Sequence, residues 1–105
     1  MTEAVVVFVT APSAEKAAEI ARVVVEERLA ACGNVVPGLR SIYRWEGEIH
    51  DDAEALVLLK TTRDRFDALR DRVVALHPYE VAEVIAVRVE AGSAPYLRWI
   101  GDMTR

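Results

Sequence analysis

The sequence predicts an α+β sandwich in the order strand, helix, strand, strand, helix, strand, followed by a short helix. Three observations carry this. A β-branched run opens the chain at Ala4 to Thr10. Two amphipathic helical stretches follow, one ending near Leu29 and one stopped by Pro78. Between them lies a β-patterned segment, Ala31 to Thr62, longer than one small sheet needs in a 105-residue chain. Two right-handed crossovers with both helices on one face give a ferredoxin-like βαββαβ arrangement with a long central hairpin.

The first strand carries Phe8 within a continuous apolar run, the pattern of a central strand buried on both faces. Pro12 and Ser13 end it. Ser13 is a helix N-cap, because its hydroxyl can accept an otherwise unpaired backbone N–H. Glu15 suits the positive end of the helix dipole. Ala17, Ile20, Ala21, Val24 and Val25 then form one apolar stripe.

Ala31–Thr62 reads as two strands with two candidate turns. Glu46-Gly47 fits one, since glycine tolerates the positive φ of tight hairpin turns. His50-Asp51-Asp52-Ala53 fits the other, leaving Gly47 as a bulge in a longer strand. Both stay open, and the second is preferred. Pro37-Gly38 is read as a break in the first strand, because proline lacks a ladder donor.

Thr62 caps the second helix, with Asp64 in its first turn. Phe66, Leu69, Val73 and Leu76 recur at helical spacing, and Arg63/Asp67 and Asp67/Arg70 are spaced to pair on the wet side. The fourth strand is read at Val81 to Val89. Ala94 to Met103 is a terminal helix bearing Tyr96, Leu97, Trp99 and Ile100.

Composition bounds the function. One domain over 1–105 is expected, with 52% hydrophobic residues to form a core and 29% charged residues. So small a core stabilises a domain only modestly, and oligomerisation would add to it. The net charge is −4, and Lys16 and Lys60 are the only lysines, so no basic stripe exists for nucleic acid. No apolar run reaches the ~20 residues of a membrane span. The N-terminal stretch lacks the basic leader and cleavage site of a signal peptide, and a cytoplasmic location is expected. A single cysteine, Cys32, excludes an intrachain disulfide framework.

Four groups of residues bear chemistry. Cys32 is a soft donor suited to copper or zinc, although a free cysteine is ordinarily a small buried hydrophobe, and one thiol cannot close a zinc site. His77, before Pro78-Tyr79-Glu80, either stabilises a helix end or binds a transition metal, with Glu80 and Glu83 close by in sequence. His50-Asp51-Asp52 reads as a solvated turn with too few ligands for calcium. Tyr43, Trp45, Tyr79, Tyr96 and Trp99 are more large aromatics than a small core requires, and Trp45 reads as an interface residue. No phosphate loop, nucleophile elbow or paired-histidine metal helix is present, so the chain is not expected to be an enzyme, and no organic cofactor is implied.

Several segments together resemble one family. They are Thr10-Ala11-Pro12, Glu27 to Cys32, Asn34-Val35-Val36-Pro37-Gly38, Ser41 to Gly47, Leu59-Lys60-Thr61-Thr62, His77-Pro78-Tyr79-Glu80 and Tyr96-Leu97-Arg98-Trp99. In order and spacing they are similar to CutA, the divalent-cation tolerance family. The resemblance implies a ferredoxin-like fold, a tight homotrimer and a link to tolerance of copper or other divalent cations. It also implies a likeness to PII signalling trimers, whose clefts between protomers would suit a small ligand. In family members with a proposed copper site, the ligands are a cysteine just before Thr-Ala-Pro and two histidines before Pro-Tyr. Val9, Leu76 and His77 hold those positions here, so only His77 carries over as a metal residue. The overhang of the 31–62 hairpin is then expected to pair with a neighbouring protomer and to place Trp45 at the interface.

Overall fold

The structure, a computed structural model, describes residues 3–105. Met1 and Thr2, which the N-terminal reading and the 1–105 domain include, lie outside the described residues. The elements are β1 (Ala4–Ala11), α1 (Ala14–Glu26), β2 (Cys32–Trp45), β3 (Glu48–Thr62), α2 (Arg63–Leu76), β4 (Ile85–Arg88) and α3 (Ala94–Met103). The strands form one sheet in the order β2-β3-β1-β4, antiparallel at every junction. This is the ferredoxin-like α+β sandwich.

Alternation along β1 decides the layering. Val5, Val7, Val9 and Ala11 are buried, while Val6, Phe8 and Thr10 are only half-buried. The expectation of a strand buried on both faces is therefore corrected, because α1 and α2 cover only one side. The core on that side joins Ala17, Ile20, Ala21 and Val24 of α1 and Leu69 and Val73 of α2 to Val5, Val7, Val9, Val57 and Leu59 of the sheet. Each fully buried Val, Leu or Ile contributes about 1.5–3 kcal/mol relative to exposure. Val25, at the margin of the predicted stripe, is 37% exposed.

Ser13 caps α1 as expected, accepting from the Lys16 N–H at 3.1 Å. The helix stops at Glu26, short of Leu29, because Arg28 turns into the left-handed region at φ 61°. Thr61, fully buried, donates its hydroxyl to the Leu29 carbonyl at 2.6 Å and ties that turn to β3. Gly33 lets α1 sit close to β2: a Cβ there would lie 2.8 Å from the Ala21 Cβ. Thr62 stands at the α2 N-cap, but its side chain makes no cap bond; the Arg63 N–H is met by the Glu3 carbonyl at 2.8 Å.

The hairpin turns at Glu46-Gly47, where φ is 50° and 79° and Trp45 faces Glu48. Positive φ at both central positions is the two-residue turn whose twist matches the strands. The preferred turn at residues 50–53 is thus corrected; those residues are ladder positions within β3. Pro37-Gly38 does not break the strand either. The register shifts between Val36 and Leu39, so the proline sits in a bulge where no rung is lost. β4 is shorter than predicted: its ladder with β1 covers residues 85–88, extended only by the Val89 N–H donating to the Ala4 carbonyl at 3.0 Å, and residues 81–84 stay outside it.

β1 accompanies β3 only from Ala55 to Thr62. Glu48–Glu54 and their partners on β2 project beyond the sheet by roughly 20 Å at the usual rise of a strand. The chain is accordingly elongated, 44 × 25 × 21 Å.

Candidate functional site

The bulge in β2 has a consequence for side chains. Before it, Cys32, Asn34 and Val36 face the same side as Lys60, Leu58 and Leu56. After it, Leu39, Ser41, Tyr43 and Trp45 face that side, opposite Glu54, Asp52, His50 and Glu48. One extra residue reverses the alternation and keeps a single continuous face. That face, opposite α1 and α2, is open. Its middle is apolar, with Val6, Phe8, Leu56 and Leu58 in the central strands and Ile85 and Val87 at the β4 edge. Ile85 is 56% and Val87 50% exposed.

On the overhang the open face becomes polar and aromatic. Tyr43 stacks on His50, with ring centroids 5.2 Å apart, and donates its hydroxyl to Asp52 at 2.5 Å. That bond to Asp52 raises the Tyr43 hydroxyl above its ordinary value, because the carboxylate holds the proton in place. Asp51 points to the other face and makes a two-pronged ion pair with Arg40, at 2.8 and 2.7 Å, which lowers the carboxyl below its ordinary value. His50, Asp51 and Asp52 therefore do not converge. Trp45, at the tip, is 39% exposed.

The base of the overhang is braced by the segment after α2. Tyr79 donates to Glu54 at 2.6 Å. Burial, then that bond, raises the Tyr79 hydroxyl far above its ordinary value. His77 is buried, at 8% exposure. Its Nε2 lies 2.7 Å from the Thr10 carbonyl, and its Nδ1 accepts the Tyr79 N–H at 3.2 Å. The carbonyl demands a donor and the N–H an acceptor, so the ring is the neutral Nε2–H tautomer. Both nitrogens are in use, and the imidazole clamps the end of β1 to the 77–84 segment. Among the described residues, no group of three or more His, Cys, Asp or Glu side chains is gathered where it could hold a metal ion. Glu80 and Glu83 are exposed.

Cys32 is half-buried at the other end of the open face. Its thiol donates to Asn34 Oδ1 at 3.7 Å, and the same oxygen accepts from Lys60 Nζ. Tyr96 of α3 reaches Cys32 with its hydroxyl, which burial first and the thiol second raise above the ordinary value. This contact places α3 across that end of the face, with Trp99 5.5 Å from Tyr96. Sequence reasoning singled out Cys32 but missed Asn34 and Lys60. The signal was cross-strand pairing, which needs the register.

The order of strands, the overhanging hairpin and the His77 segment together match a known family. A family model for CutA1 divalent ion tolerance protein covers residues 5–103. The chain belongs to the CutA1 family. It is 54% identical over 99 residues to the divalent-cation tolerance protein CutA of Thermus thermophilus, covering 94% of this chain and 96% of that one. It is also 54% identical to human protein CutA over 97 residues, 92% of this chain but 54% of the human protein, so it spans about half of that relative. Solved CutA1 structures superpose closely. The Thermus thermophilus protein gives a TM-score of 0.94 at 52% identity, covering 97% of this chain and 99% of that one. The Oryza sativa CutA1 gives 0.95 at 43%, covering 99% and 95%. As in sequence, no helix among the described residues is long and apolar enough to cross a membrane.

Proposed function

We propose that this protein acts as a non-enzymatic homotrimer in tolerance of divalent cations, copper among them, in the cytoplasm. The observation that carries the assembly is the open face. A contiguous apolar sheet surface, joined to an unpaired hairpin overhang ending in Trp45, is a surface that association would bury. A closed ring of protomers satisfies such edges, whereas an open array would propagate. Sedimentation at micromolar concentration tests it: a trimer is expected, and a monomer would remove this reading. Trp45→Ala should weaken assembly by about 2 kcal/mol per site, roughly thirty-fold in dissociation, if the indole is an interface anchor.

The cation part rests on family membership and on His77. A metal can reach the imidazole only by displacing one of its two hydrogen bonds. The Nδ1 bond, at 3.2 Å, is the weaker. Releasing it costs about 0.5–1.5 kcal/mol, so binding through one histidine would be weak. Equilibrium dialysis with copper, zinc and cobalt decides this. Saturable micromolar binding lost in His77→Ala supports His77 as the ligand; binding unchanged in the variant removes it.

A second reading, a PII-like sensor of small molecules with clefts between protomers, is favoured by the polar cluster around Lys60. A ligand that binds only the folded protein raises its melting temperature. Silence in a thermal-shift screen of nucleotides and organic anions would count against it.

A further inference from the structure

We propose that Lys60, Asn34, Cys32 and Tyr96 form a binding site for a small organic oxyanion, a carboxylate or phosphate attached to an apolar or aromatic body. The proposal deepens the sensor reading by naming the ligand chemistry and the residues.

Lys60 stands on β3 between Leu58 and Thr62, facing Val6 on one side and Cys32 on the other. It is half-buried, with apolar Val6 beside it on the same face. Its hydrogen bond is to the neutral Asn34 oxygen, and among the described residues it makes no ion pair. A partly desolvated ammonium without a counter-charge is costly, and an anion relieves that cost. Two of its N–H donors remain after the bond to Asn34.

The Asn34 amide extends the donor set. Its Oδ1 accepts from both Lys60 and the Cys32 thiol, so the oxygen branch is turned inward. The planar amide then turns its NH2 branch outward, and Asn34 is exposed. Lysine and asparagine N–H donors thus adjoin each other beside Cys32, and the Tyr96 hydroxyl meets the Cys32 thiol at the same end of the face. Trp99 and Tyr96, 38% and 43% exposed in the single chain, supply ring faces beside it for an apolar body. The same ammonium argues against Cys32 as a divalent-cation ligand, since it repels a cation arriving at the thiol.

Cys32 is the only cysteine, which makes it a reporter at the site. The test compares the alkylation rates of anionic iodoacetate and neutral iodoacetamide on the native protein, relative to a small free thiol. Lys60 should raise the iodoacetate-to-iodoacetamide ratio about ten-fold, within the range that a local charge adds to association. Lys60→Met should return the ratio to that of the free thiol. Asn34→Ala, at an exposed position, should lower it partway. Citrate and inorganic phosphate are added separately; the one that slows iodoacetate in the wild type but not in Lys60→Met identifies the headgroup. A ratio equal to that of the free thiol overturns the proposal. So does a ratio unchanged by Lys60→Met, or a thiol closed to both reagents. A silent ligand screen would sink the sensor reading while leaving this ratio standing, so the two failures are distinguishable.

Discussion

His77→Ala is the substitution that most directly separates clamp from ligand. The imidazole is buried and holds two backbone groups from different elements, the Thr10 carbonyl at 2.7 Å and the Tyr79 N–H at 3.2 Å. Losing two hydrogen bonds costs about 1 kcal/mol each. The vacated volume adds about 1–2 kcal/mol, because packed surroundings relax only in part. The expected loss is about 3–4 kcal/mol, a large share of a small domain's stability. In urea, with a slope of about 1.5–2 kcal/mol/M for a chain this size, the midpoint should fall by about 2 M. Tryptophan fluorescence at one fixed protein concentration reads it, since the proposed assembly would couple to unfolding. His77→Gln keeps an N–H donor near the Nε2 position and should recover about 1 kcal/mol. A loss under about 0.5 kcal/mol for alanine, within the range of an ordinary surface change, would refute the clamp. Equal losses for alanine and glutamine would refute the role given to the Nε2–H.

Gly33→Ala places a methyl 2.8 Å from the Ala21 Cβ and should destabilise by about 1–3 kcal/mol through overpacking, read as a lower thermal midpoint. Gly47→Val forces a β-branched residue to φ 79° at the hairpin turn and should speed amide exchange at residues 43–50 without touching the core; unchanged exchange there would argue that the turn tolerates it. Arg72→Met should alter the acid limb of stability. The bidentate bonds from Arg72, at 2.9 Å, hold the Glu27 carboxyl below its ordinary value, against a smaller opposing effect of burial. A carboxylate with a lowered folded value contributes stability above its unfolded value, near 4.5, and loses it as pH falls through the folded value. The variant should therefore be less stable at neutral pH and converge with wild type below that window. The effect is small, salt-screened and absent if the two denaturation profiles run parallel.

Most of the architecture was legible because periodicity reports burial on one side at a time. The α1 stripe, the Ser13 cap and the α3 span followed from residue spacing alone, and the pairs of Asp67 with Arg63 and Arg70 formed at 3.3 and 3.5 Å. What failed shares a cause. β1 looked buried twice because Val6 and Phe8 are as apolar as Val5 and Val7, yet α1 and α2 cover only the opposite side. An apolar sheet face that no helix pair covers reads in sequence like a core. The β4 strand shrank because residues 81–84 do not join the ladder with β1, and no local pattern records pairing.

The hairpin shows why the candidate site was harder to read than the fold. Strict alternation through β2 would put Tyr43 and Trp45 on the side opposite Asn34 and Cys32. The preferred turn at 50–53 was one way to accommodate the segment's length, with the extra residue placed at Gly47. The structure places it at Pro37-Gly38 instead. That one-residue displacement returns Tyr43 and Trp45 to the open face, aligned with Cys32, Asn34 and Lys60. Each residue of the face was visible in the sequence, but their shared side is set by where the ladder absorbs one residue. Moving the bulge would scatter them across two faces. An insertion or deletion at residues 37–38 should therefore separate the two ends of this surface, disturbing the aromatic overhang while leaving the Lys60 cluster in place.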